Sequence, residues 1–120
     1  MRILGPRLHG YIDVAIILIF IVGPLLFGLG GSPALISWIL AAAYLVLTLL
    51  TRYPLGVAKR IPFFIHGLIE LFVAVFLALL PRLDGYAPGS PARRFYWTMA
   101  IVLGLVWLLT DYRGHEAETA

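Results

Sequence analysis

The chain has 120 residues, of which 62% are hydrophobic and 12% charged, with a formal net charge of +3 and no cysteine; its mean hydropathy is +0.98. A soluble domain of this length needs far more polar surface, and the lack of cysteine removes disulfides, thiolate metal sites and cysteine nucleophiles. The positive charge does not point to nucleic acid, because the basic residues sit at the ends of apolar runs, where membrane topology places them.

Four apolar stretches approach the ~20 residues that cross a bilayer as helix: roughly Leu8–Leu29, Pro33–Leu50, Pro62–Leu80 and Phe95–Thr110. Each is apolar all round rather than alternating, so the demand for satisfied backbone groups in lipid predicts helices and not a barrel. The first run is too long for a removable signal peptide, carries Asp13 and lacks a small-x-small cleavage site, so it reads as a retained span. Gly28, Gly30, Gly31, Ser32 and Pro33 predict a tight connection to the second span. The segment RYPLGVAKRIP, Arg52 to Pro62, joins the second span to the third, and a Pro/Gly/Ser-rich loop from Pro81 to Arg94 leads into the fourth. The tail after Tyr112 is polar, and His115 beside Glu116 reads there as a solvated side chain rather than a ligand. The expectation is one all-α transmembrane domain over residues 1–120, a four-helix bundle that leaves no room for a soluble catalytic domain.

Orientation follows from counting cations. Arg2, Arg7, Arg52, Lys59, Arg60 and Arg113 fall on the side of both termini, and Arg82, Arg93 and Arg94 fall opposite. This bias predicts both termini in the cytoplasm, with Trp38 and Trp97 as interfacial anchors at the outer face. Lys59 and Arg60, with Arg52 nearby, form a juxtamembrane basic patch suited to anionic lipid.

The chain also resembles itself. An offset of 57 pairs His9 with His66, Gly10 with Gly67, Ile12 with Ile69, Asp13 with Glu70, Pro24 with Pro81, Leu26 with Leu83 and Gly28 with Gly85. After a loop two residues longer, an offset of 59 pairs Trp38 with Trp97, Ala41 with Ala100, Leu49-Leu50-Thr51 with Leu108-Leu109-Thr110, and Tyr53 with Tyr112. Leucine matches are common in apolar sequence, but matched His, Trp, Pro and acidic residues are not. Two tandem helical-hairpin repeats follow, about 7–56 and 64–114. Each has an even number of spans, so both enter from one side, and the expected relation is a pseudo-two-fold axis along the membrane normal.

The run HGYID, the helix end GPLLFGL, the bridge TRYPLGVAKRIPFFIHGLIE and TDYRG after the fourth span together resemble the bacterial SPW-repeat membrane proteins. The resemblance covers nearly the whole chain, and the bridge is its most specific part. Leu25 and Arg82 stand where the family has Trp after the proline. Val14 stands in place of the family's Tyr, and Arg52 in place of the bridge acid. The resemblance implies the four-helix architecture and a bacterial cytoplasmic membrane; the family carries no established biochemical activity.

Chemistry concentrates in His9, Asp13, His66 and Glu70. A spacing of four places each His and its acid on one helix face, near the cytoplasmic end. Glu70 lies ~12 Å inside Pro62 at the helical rise. An ionised acid at such depth must face protein, find a partner or be neutral. Several readings are open. The four residues can bind a divalent metal such as zinc or iron; His9 and His66 can be axial ligands of a haem; the groups can carry protons; or they can hydrogen-bond each other and fix helix register. Gly10 and Gly67 are expected to let the helices approach. Thr51, Tyr53, Thr110 and Tyr112 close the second and fourth spans, as caps or as a polar cluster completing the histidine site. No P-loop, dinucleotide motif, H-E-x-x-H or nucleophile elbow occurs, so hydrolase chemistry is not expected. The function classes are therefore a structural or accessory membrane subunit, packed against itself or a larger complex, and a metal-, haem- or proton-binding module. A transporter would have to oligomerise to enclose a path.

Overall fold

The computed structural model describes residues 3–112. Arg2 and Arg113 of the charge count, and His115 and Glu116 of the polar tail, lie outside the described residues. Four helices follow in order: α1 (Pro6–Leu26), α2 (Gly31–Leu50), α3 (Phe63–Leu83) and α4 (Pro91–Leu109). Each is long and apolar enough to cross a membrane, and the chain is an integral membrane protein built as an all-α bundle. Among the described residues there is no strand, only two isolated bridges.

Three boundaries differ from the sequence expectation by three residues or more: α1 ends at Leu26 rather than Leu29, and the other two differ for reasons visible in the sequence. α4 begins at Pro91 rather than Phe95, because Ser90 accepts from the Arg93 N–H at 3.2 Å and Pro91 takes the first turn, where a missing N–H costs nothing. α3 runs through Pro81 to Leu83, as α1 runs through Pro24 to Leu26. A proline leaves the carbonyl four residues back without its helical donor. In α1 that carbonyl belongs to Phe20, and the Ser37 hydroxyl of α2 donates to it at 2.6 Å.

The two hairpins close alike. Phe27 N–H bonds Gly23 O and Leu29 N–H bonds Pro24 O; 57 residues on, Asp84 N–H bonds Leu80 O and Tyr86 N–H bonds Pro81 O. Gly28 and Gly85 turn the chain there with φ of 67° and 68°, a left-handed conformation that glycine adopts without penalty. The indoles of Trp38 and Trp97 donate to Ile21 O and Ala78 O at 3.0 and 3.1 Å, so they tie each hairpin together.

At the other end, the bridge folds back over α2. Leu49 O accepts from Val57 and Ala58, and Leu50 O accepts from Arg60 and Ile61, which satisfies carbonyls that a helix end leaves orphaned. Leu4 N–H bonds Leu109 O on the other hairpin, the counterpart of Ile61 N–H on Leu50 O. Helix pairing is closest within each hairpin, α1 with α2 and α3 with α4. Ile16, Phe20, Leu77, Tyr96 and Leu103 form the buried centre shared by all four helices through Tyr44 and Ala41 of α2. The outward faces are apolar, with Leu25, Phe72 and Ile101 largely exposed. Such contiguous surface suits lipid rather than water.

Candidate functional site

α1 and α3 each bring a His and an acid one turn apart to the centre of the bundle, near the ends where both helices begin. His9, Asp13, His66 and Glu70 are all 0% exposed. His9 Nε2 lies 3.2 Å from Asp13 Oδ1 and 2.5 Å from Glu70 Oε1. His66 Nε2 lies 3.1 Å from Asp13 Oδ2 and 2.6 Å from Glu70 Oε1. The imidazoles meet edge to face, their centroids 5.4 Å apart. One donor atom from each of the four residues falls within 4.8 Å of the others. The pairs singled out from spacing thus converge on one point.

The far nitrogens are fixed by the helix ends. His9 Nδ1 lies 2.8 Å from Thr110 Oγ1, and His66 Nδ1 lies 2.7 Å from Thr51 Oγ1. Each threonine donates its own hydroxyl proton four residues back, Thr110 to Val106 O and Thr51 to Leu47 O. A hydroxyl has one proton to give, so each threonine oxygen accepts and each Nδ1 must carry a hydrogen. The Nε2 atoms therefore face the carboxylates as lone pairs or as protonated donors. Each histidine is oriented by the threonine of the other hairpin, a crossing that sequence offsets do not show.

Asp13 and Glu70 are held differently. Asp13 accepts from Tyr44 at 3.2 Å on Oδ1 and from Tyr53 at 2.9 Å on Oδ2. Glu70 Oε2 and the Tyr112 hydroxyl are buried without a hydrogen-bond partner, and His66 Nε2 meets the two carboxylates outside hydrogen-bond geometry. Phe63 stacks among His9, Tyr53 and Tyr112, closing the site on the side of the bridge. Tyr53 and Tyr112 lie beyond the helices. Burial, with the charges of Asp13 and Glu70 close by, pushes both phenols above their ordinary value, so both stay neutral, and Tyr53 donates to Asp13.

Thr51, Tyr53, Thr110 and Tyr112 accordingly belong to the histidine site. Gly10 and Gly67 serve a different purpose from the one expected. A Cβ at Gly10 would lie 2.8 Å from the Leu55 side chain, and one at Gly67 would lie 2.8 Å from the Tyr112 ring. These glycines admit the chain beyond each helix rather than the facing helix. Tyr44 and Phe63 are site residues missed from sequence. A lone phenol in the middle of an apolar span is the signal that points to Tyr44, since its hydroxyl needs a partner in lipid; Phe63 carries none.

Several occupants can be weighed against this geometry. A tetrahedral ion at about 2.0–2.1 Å from its donors spaces them about 3.3 Å apart. The Asp13 contacts nearly match, and Glu70 would draw back by under about 1 Å. Two nitrogens and two carboxylate oxygens, with each imidazole steadied through its other nitrogen, make a donor set suited to zinc or ferrous iron. Protons on both Nε2 atoms also balance the two carboxylates. The haem reading does not fit: carboxylates fill the gap between two imidazoles set at 79° to one another, leaving no slot for a macrocycle. No family model matches the chain, and no curated protein or solved structure matches it either.

Proposed function

We propose that this chain is a membrane-embedded module that holds one divalent transition-metal ion, of the zinc or ferrous type, on His9, Asp13, His66 and Glu70. The observation that carries the reading is the shared Glu70 Oε1, which faces two Nε2 atoms at 2.5 and 2.6 Å while both Nδ1 atoms are committed to threonine. At that distance the facing lone pairs repel unless protons or a metal ion lie between them, and one divalent ion serves both contacts once Glu70 draws back. Two carboxylates and two neutral imidazoles carry two negative charges, which one divalent ion cancels, and a neutral centre is what lipid tolerates. Oxygen-loving calcium and magnesium are poorly served by two imidazoles.

The setting of this reading is a duplicated hairpin of the SPW-repeat type, in the bacterial cytoplasmic membrane with both termini inside. The contacts that recur at offsets of 57 and 59 support the duplication. The apolar flanks leave room for the module to serve as an accessory subunit of itself or of a larger complex. Metal analysis and an absorption spectrum of the purified protein test the proposal. One ion per chain is expected, lost in His9→Ala and His66→Ala. A wild-type protein that neither contains nor takes up zinc or iron, yet co-purifies with a stable partner, leaves only the accessory role.

A further inference from the structure

The half of the bundle away from the termini carries a second feature that the metal reading does not use. Between the end of α1 and the start of α4 runs a groove of about 790 Å³, lined by Ile19, Val22, Gly23, Phe95 and Met99, with Arg94 at its rim. Its volume is in the range of small-molecule sites, and its walls are almost wholly apolar. The Phe95 ring folds over Gly23, where a Cβ would lie 2.6 Å away.

The corresponding positions of the other hairpin pair supply an internal comparison. At offsets of 57 and 59, Gly23 corresponds to Leu80, Phe95 to Ile36, Arg93 to Ala34, Arg94 to Leu35 and Thr98 to Ile39. Leu80 is buried, so a side chain occupies what glycine leaves open. The polar difference is sharper. One side presents two arginines and a threonine near the membrane boundary; the other presents aliphatic residues at those positions, with Asp84, the counterpart of Phe27, accepting from Ser32. The Arg94 guanidinium is steadied by Gly89 O, which accepts from Nε and Nη2, and the remaining N–H groups are left for an anion. Arg93 sits 4.5 Å over the Trp97 ring, and its Nε is buried without a partner.

We infer that this groove seats one acyl chain of an anionic phospholipid of the leaflet away from the termini, its phosphate held by Arg94 with Arg93 beside it. Guanidinium and phosphate match in geometry as well as charge. Native mass spectrometry of the detergent-solubilised protein, titrated with phosphatidylglycerol or phosphatidylcholine of identical chains, tests the assignment. Wild type is expected to retain the anionic lipid over the zwitterionic one by roughly fivefold, the factor for one arginine at an anionic surface. Arg94→Gln should erase that preference. Val22→Trp, which fills the groove from an exposed position, should abolish retention of both lipids, whereas Leu79→Trp at the corresponding position should change neither. Equal retention of the two lipids by wild type, equal effects of the two tryptophans, or a second copy of the chain seated on this face would each overturn the inference.

Discussion

A threonine at the end of a membrane helix usually serves its own backbone, and Thr51 and Thr110 do so through Leu47 O and Val106 O. The consequence reaches the histidines, because a hydroxyl already donating can only accept from Nδ1. The two threonines thereby keep the Nε2 atoms on the carboxylate side, the orienting role that outer partners of metal-bound histidine play elsewhere. Replacing both, Thr51→Val with Thr110→Val, keeps volume but frees the tautomer. Affinity for zinc should fall about 10–100-fold, read by competition with a chromophoric chelator, while the helical circular dichroism is kept. Unchanged affinity would mean that the hydroxyls cap the helices and do nothing for the site. Spacing alone exposed His9, Asp13, His66 and Glu70, since residues four apart share a face whatever the helix packs against. Which hydroxyl meets which imidazole is a long-range fact, and Tyr44 enters for the same reason.

At the scale of the element, the bridge and the last turn of α4 matter as much as the spans. Each helix of the inner pair begins beside a glycine, yet the two glycines are not equivalent. The neighbour of Gly10 is the tip of Leu55, a half-buried side chain able to swing aside, whereas the neighbour of Gly67 is the rigid Tyr112 ring, itself buried. Gly67→Ala should therefore displace Tyr112 from the site and cost about 1–3 kcal/mol, the usual price of overpacking, and Gly10→Ala should cost clearly less. Thermal unfolding of the two variants in one detergent makes the comparison. A larger loss at Gly10 would place the tight contact on the wrong hairpin. Sequence reading located these glycines but assigned them to helix–helix approach, because a small residue beside a polar one in a span has that meaning most often. The extent of α4 was equally hidden: four residues of its first turn, Pro91 to Arg94, look like loop until Ser90 is seen capping them.

For the molecule as a whole, the four spans were legible because lipid permits so few backbone arrangements. Rotation of each helix about its axis was not, since runs apolar on every face contain no stripe that picks an inner side. Only the His–acid pairs marked one, on α1 and α3, and those are the helices that meet through the polar centre. Pairing of helices is closest inside each hairpin, and the hairpins are joined by Tyr96 O–H to Pro33 O at 2.6 Å, the crossed threonine–histidine contacts, Leu4 N–H to Leu109 O, the shared apolar core and the four-residue cluster. An ion bound by two residues from each hairpin closes that seam, and an ion that binds only the assembled form stabilises it by mass action. At a free concentration 100 times its dissociation constant the gain is about 2.7 kcal/mol. Stripping the protein with chelator should accordingly lower its melting temperature, and zinc should restore it in wild type. In His9→Ala/His66→Ala the ion should have no effect, because two carboxylates remain without the imidazole nitrogens that complete the donor set. The double variant carries its own penalty from two buried acids stripped of their imidazoles, Glu70 above all because Asp13 keeps Tyr44 and Tyr53, so the reading to compare is the metal-induced shift and not the absolute temperature. A shift of equal size in both proteins would place the ion elsewhere on the chain and separate the hairpin seam from metal binding.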